Sequence, residues 1–79
     1  MPIVTKMKEM YRMHELIKRR GTGSRAAFAE RLDVSESTIA RNISMMKRLG
    51  AVIYFDEYRQ SYYYPYETSW SIEFNVDRG

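Results

Sequence analysis

Between Leu32 and Glu36 the chain has only three residues in which to end one helical run and open another. Upstream, Ser24 suits the N-cap of a helix over residues 25–32, because its short hydroxyl can accept from a first-turn N–H. Ala26, Ala27 and Ala29 favour helix and let a second helix come close. Ala27, Phe28, Leu32 and Val34 supply the apolar contacts. Asp33 stands where the chain must turn sharply. Such a turn wants a residue at positive φ, and Asp is among the few besides Gly that tolerate it. Ser35 then caps a helix that runs to Leu49 and is closed by Gly50.

That last helix sorts into two faces at roughly 100° per residue. Ile39, Ile43, Met46 and Leu49 fall on one side as a stripe to bury, and Ser37, Arg41, Ser44 and Arg48 fall on the other. The outer stripe carries hydroxyls and guanidiniums but no carboxylate, which suits a helix lying along a phosphate-walled groove. A merely solvated face is the alternative, and such a face more often mixes Glu with Lys.

The flanks fit around this pair. Residues 5–20 contain neither Gly nor Pro, and Met7, Met10, Met13, His14, Leu16 and Ile17 recur at three- and four-residue steps, the mark of an amphipathic helix. Thr5 is the candidate cap, and Lys18, Arg19 and Arg20 sit where cations suit the negative end of the helix dipole. Gly21, Thr22 and Gly23 are expected to stop the helix. The methionines read as adaptable core filler, and His14, the only histidine, as a partly buried helix residue.

Past Gly50 the period changes. Residues 52–55 and 61–64 are β-branched and aromatic runs around a polar loop, which predicts a hairpin, and Pro65 ends its second strand. With Ile53 and Phe55 turned towards the helices, Tyr54 faces out; with Tyr62 and Tyr64 turned in, Tyr63 faces out opposite it. Finally, Trp70, Ile72, Phe74 and Val76 alternate with polar residues, which predicts a strand.

Charge is unevenly spread. The whole chain carries a net +3, but residues 1–50 hold eleven Lys and Arg against five acids, while residues 51–79 hold two against five. A basic half of net +6 attracts polyanions, so nucleic acid is the first partner to consider. Cysteine is absent, which excludes a disulfide framework and a thiolate metal site. No apolar run approaches the ~20 residues of a membrane span, and the first residues lack the plan of a secretory signal. The expectation is a cytoplasmic, nucleoid-associated protein. One histidine and scattered carboxylates make no acid–base pair, nucleophile–base pair or metal set. The expectation is therefore no catalytic residue, no cofactor, no metal and no small-molecule ligand.

Helix, helix-turn-helix and hairpin together form the layout of a winged helix-turn-helix domain, an α+β fold. The segment 28–41, FAERLDVSESTIAR, with the following Leu49-Gly50-Ala51 and the aromatic hairpin, resembles the N-terminal DNA-binding domains of bacterial transcriptional regulators of the DeoR and WYL types. Phe28 stands in place of the usual Leu, Asp33 of the turn Gly, Val52 of a frequent Pro, and Gln60-Ser61 where Gly is common near the wing tip. The resemblance implies double-stranded DNA as partner, with the third helix in the major groove. Ser37, Thr38 and Arg41 would then face bases or adjacent phosphates, Arg41 being the candidate for a bidentate contact to guanine, with Ser35 a further DNA-binding position. Ser44, Lys47 and Arg48 would reach the backbone, as would Ser24 and Arg25 at the second helix's amino end and Arg59 on the wing.

Residues 1–66 are thus expected to form the winged domain. Residues 67–79 form a tail strand that either belongs to the same sheet or pairs with a second copy. In a homodimer, Tyr54, Tyr63, Trp70, Ile72, Phe74 and Val76 would supply the apolar surface. Two functions compete: sequence-specific DNA binding in transcriptional control, and a winged-helix module for protein–protein contact that works through the aromatic, acidic tail. A tyrosine platform for single strands is weaker, because acids rather than bases surround the aromatics.

Overall fold

The computed structural model describes residues 3–66, with side chains from Lys6 onward. Three helices are followed by a two-stranded antiparallel hairpin: α1 (Ile3–Lys18), α2 (Arg25–Leu32), α3 (Glu36–Arg48), β1 (Tyr54–Asp56) and β2 (Ser61–Tyr63). This is the winged helix-turn-helix α+β fold. The expected C-terminal strand, with Trp70, Ile72, Phe74 and Val76, lies outside the described residues.

Side chains open α2 and α3 as anticipated. Ser24 Oγ accepts from the Ala27 N–H and Ser35 Oγ from the Thr38 N–H, both capping residues having extended backbone. Asp33 takes the left-handed conformation (φ 59°, ψ 46°). Its N–H bonds Glu30 O at 3.1 Å, and the Val34 N–H bonds Ala29 O at 3.0 Å. These are the paired bonds that close a helix through a left-handed residue.

The first helix departs from expectation at both ends. It begins at Ile3, which places Thr5 inside it and not at its cap. It ends at Lys18, and its left-handed residue is Arg20 (φ 57°), one position before the glycine expected to stop it. The Arg20 N–H reaches Ile17 O and the Gly21 N–H reaches Leu16 O, at 3.0 and 2.9 Å. A non-glycine left-handed residue costs about 1–2 kcal/mol. Arg20 recovers part of this by laying its guanidinium over the Tyr63 ring, 4.5 Å from the centroid, a contact worth about 0.5–1 kcal/mol where exposed.

One core joins the three helices and the segment that leads into the hairpin. Met10, Met13 and Ile17 of α1 meet Phe28, Ala29 and Leu32 of α2, Ile39, Ile43 and Met46 of α3, and Ala51 and Ile53 beyond it. Leu49, expected in that stripe, is 61% exposed. It is the C-cap of α3, where the chain swings away through Gly50 (φ 112°), and Ala51 and Ile53 close the core in its place.

The strands are shorter than the 52–55 and 61–64 runs suggested, but the register is the expected one: Tyr54 opposite Tyr63, Phe55 opposite Tyr62, Asp56 opposite Ser61. Tyr62 packs between Phe28 and Phe55, with ring centroids 5.7 and 4.8 Å away. The outer pair Tyr54 and Tyr63 meets edge to face at 6.1 Å.

Thr22 and Ser61, both buried, lock the hairpin to the α1–α2 loop. Ser61 Oγ accepts from the Thr22 N–H and donates to Tyr62 O; Thr22 Oγ1 accepts from the Tyr62 N–H and donates to Gly23 O, all at 2.8–3.1 Å. Gly23 is required there. Its φ is 76°, and a Cβ would come within 2.8 Å of the Ala27 Cβ.

Candidate nucleic-acid interface

The outward face of α3 is the feature the fold exposes most deliberately. Burying Ile39, Ile43 and Met46 turns Ser37, Arg41, Ser44 and Arg48 to solvent, with Lys47 beside them. Arg41, Lys47 and Arg48 make no ion pair or side-chain hydrogen bond with any described residue. Free guanidiniums and an ammonium on one helix face are donors without acceptors, so what this surface can hold is an anion rich in oxygen.

The amino end of α3 is built differently. Ser35 Oγ and Thr38 Oγ1 lie 3.0 Å apart, and the Ser35 hydroxyl also accepts from the Thr38 N–H, so both side chains serve the cap. Thr38 is half-buried and Ser35 exposed. Arg25, at the first position of α2, pairs with Glu36 of α3 at 3.4 Å. With both partners more than half exposed, this pair is worth at most about 1 kcal/mol and screens easily. It holds the starts of the two helices side by side and leaves Arg25 able to exchange its carboxylate for a phosphate. Ser24, half-buried, has its hydroxyl in the α2 cap.

Arg59 stands apart on the hairpin loop. Asp56 Oδ1 accepts from the N–H groups of both Tyr58 and Arg59, at 2.9 and 3.1 Å, and Gln60 Nε2 donates to Glu57 O at 2.9 Å. Gln60 takes a left-handed φ of 54° where the resemblance leads one to expect glycine. The tip is therefore ordered by its own side chains and presents Tyr58, 96% exposed, next to Arg59.

The inner face of α3 carries a group that the apolar stripe did not reveal. Asn42 is fully buried. Its Oδ1 accepts from Lys6 Nζ at 3.0 Å, and its Nδ2 donates to the Glu9 carboxylate and lies 3.4 Å from Met13 Sδ. Lys6 also pairs with Glu9 at 3.1 Å. Burial pushes the Glu9 carboxyl upward, but hydrogen bonds from Asn42 and Lys6, with the Lys6 charge, outweigh it and hold the acid below its ordinary value. A usable signal was present in the sequence: Asn42, three residues after Ile39, falls on the flank of the buried stripe. The Glu36 carboxylate beside Arg25 is the other unforeseen member of the site.

Among the described residues, no helix is long and apolar enough to cross a membrane. The HTH domain family matches residues 8–64, from the middle of α1 to the end of the hairpin. The chain belongs to that family and is a helix-turn-helix DNA-binding domain. Neither the curated proteins nor the solved structures gave a match.

Proposed function

We propose that this chain is a sequence-specific double-stranded DNA-binding protein acting in transcriptional control, a small bacterial regulator of the DeoR or WYL kind that carries out no catalysis and works in the cytoplasm on the nucleoid. In this reading α3 enters the major groove. Ser37, Thr38 and Arg41 face base edges, with Arg41 bidentate to guanine. Ser44, Lys47 and Arg48 hold the backbone, and Ser24, Ser35, Arg25 and Arg59 steady it from the two sides. Two copies pair through Tyr54, Tyr63 and the tail residues Trp70, Ile72, Phe74 and Val76, matching a site of two half-sites.

The observation that carries this reading is the outward α3 face, where exposed guanidiniums lack partners among the described residues and the stripe holds no carboxylate. The test is selection of bound fragments from random duplex DNA at two salt concentrations, followed by Arg41→Ala on the enriched sequence. The variant should lose about 1–3 kcal/mol on that sequence and relax selection at one position. Weak binding that enriches no motif and vanishes at moderate salt would reduce the protein to nonspecific charge attraction.

A further inference from the structure

Resting on the reading of α3 as the DNA-reading helix, we propose that Lys6, Glu9 and Asn42 are positioning residues that fix the roll of α3 about its own axis, and through it the base step at which Arg41 reads. α3 lies close along α2, but its backbone approaches α1 only sparsely. The link from α1 to α3 is therefore made by side chains. Most of these are apolar: Met13 meets the cluster of Ile39, Ile43 and Met46. Apolar burial is non-directional, so such a contact tolerates a small rotation of one helix on another.

The Asn42 amide does not. Both of its ends are taken, the oxygen by Lys6 Nζ and the nitrogen by Glu9, and the two α1 groups are tied to each other. Rolling α3 would leave a fully buried amide unpaired beside a carboxylate, which is the costly state for any buried polar group. An apolar residue of similar size would pack at least as well, so what the amide adds is direction. Arg41 is the neighbouring residue on the helix, turned about 100° around the axis from Asn42 and exposed. At about 6 Å from the helix axis, a roll of about 20° displaces a group by about 2 Å, a large part of the ~3.4 Å between base steps. Small errors in roll therefore change which base pair is read, without changing which surface is basic.

The experiment uses the full chain, the duplex it enriches from a random pool, the single-base-pair variants of that duplex, and one unenriched duplex. Asn42→Leu and Glu9→Gln are compared with the unaltered protein and with Arg41→Ala. Folded Asn42→Leu should bind the unenriched duplex within about twofold of the unaltered protein, since phosphate contacts are untouched. Its discrimination at the Arg41 position should fall about fivefold or more, the lower bound of a lost bidentate contact. Glu9→Gln, a milder and partly exposed change, should fall in between. Residual dipolar couplings measured without DNA should show α3 reoriented against α1 by about 10° or more in Asn42→Leu, within the spread open to packed helices. Unchanged discrimination and unchanged couplings in either folded variant would overturn the positioning role. So would an equal loss of affinity on every duplex, which marks a purely structural residue. An unaltered protein that enriches no duplex would overturn the DNA reading itself, a distinct result.

Discussion

At the scale of single residues, the three helices end in the same way with three different amino acids. Arg20, Asp33 and Gly50 each take positive φ, at 57°, 59° and 112°, and in each case that residue's own N–H and the next one return to the last turns of the helix. Only Gly50 does so without strain. Arg20 leans on Tyr63, whereas no side-chain hydrogen bond to another described residue supports Asp33. Asp33→Gly should therefore stabilise the domain, by up to about 1 kcal/mol, less the extra freedom that glycine gives the unfolded chain. For a chain of this size that is a rise in Tm of a few degrees, about 4–8 °C per kcal/mol, and thermal unfolding checks it. Asp33 could be picked out from the sequence because its role is local: a three-residue gap between two helical runs leaves one place for the left-handed residue. Arg20 could not, because its support comes from Tyr63, 43 positions away.

The same distinction governs the elements. The helix-turn-helix was legible because caps, alanines and apolar spacing act within a few residues: Arg25–Leu32 and the start of α3 at Glu36 fall where the pattern put them, and α3 ends at Arg48, one residue short. The seating of the hairpin was not legible. It depends on Thr22 with Ser61 and on His14 with Tyr64, pairs 39 and 50 residues apart. Leu49 illustrates a third case, in which a periodic pattern runs one residue past the end of its helix. The seat of the hairpin on α1 also carries a titratable group. His14 Nδ1 lies 2.7 Å from the Tyr64 hydroxyl. Burial, then the charge of Lys18, lowers the His14 pKa below 6.5 against the opposing pull of Glu15. Burial also pushes Tyr64 above its ordinary range, so its hydroxyl keeps its proton and shares a hydrogen bond with the neutral ring whose direction the ring's tautomer sets. The sign follows from these directions. The unfolded state binds the proton more readily than the folded state, so this contribution is complete above pH ~6.5 and is lost as pH falls through the lower folded value. The urea midpoint should drop between pH 7 and pH 5.5, and His14→Gln should remove most of that drop. An identical slope in the variant would assign the pH dependence elsewhere. Glu9, lowered from 4.5, acts only in a more acid range and does not confound the test.

For the molecule as a whole, the uneven charge becomes a geometry. The net +6 of residues 1–50 is concentrated in the helices, and the bases on the outer face of α3 make no ion pair among the described residues. The count of phosphate contacts is then open to measurement without knowing the binding sequence. If Arg25, Lys47, Arg48 and Arg59 each neutralise one phosphate, a single copy on duplex DNA should show a slope of log K against log salt of about −4, at roughly −0.9 per contact. Two copies binding as a pair should show about −7. Fluorescence anisotropy on labelled duplex between about 50 and 200 mM salt resolves the two. Lys47→Ala should make the slope about one unit shallower per copy and weaken all sequences alike, whereas Arg41→Ala should alter preference far more than slope. Arg25→Ala is expected to change the slope by less than Lys47→Ala, because Arg25 must first give up Glu36, whose carboxylate it leaves facing the DNA. A slope near zero would mean that these cations do not meet phosphate. A slope near −7 that falls to about −4 when residues 67–79 are removed would place the pairing of two copies in the tail and leave the reading of DNA to the helices.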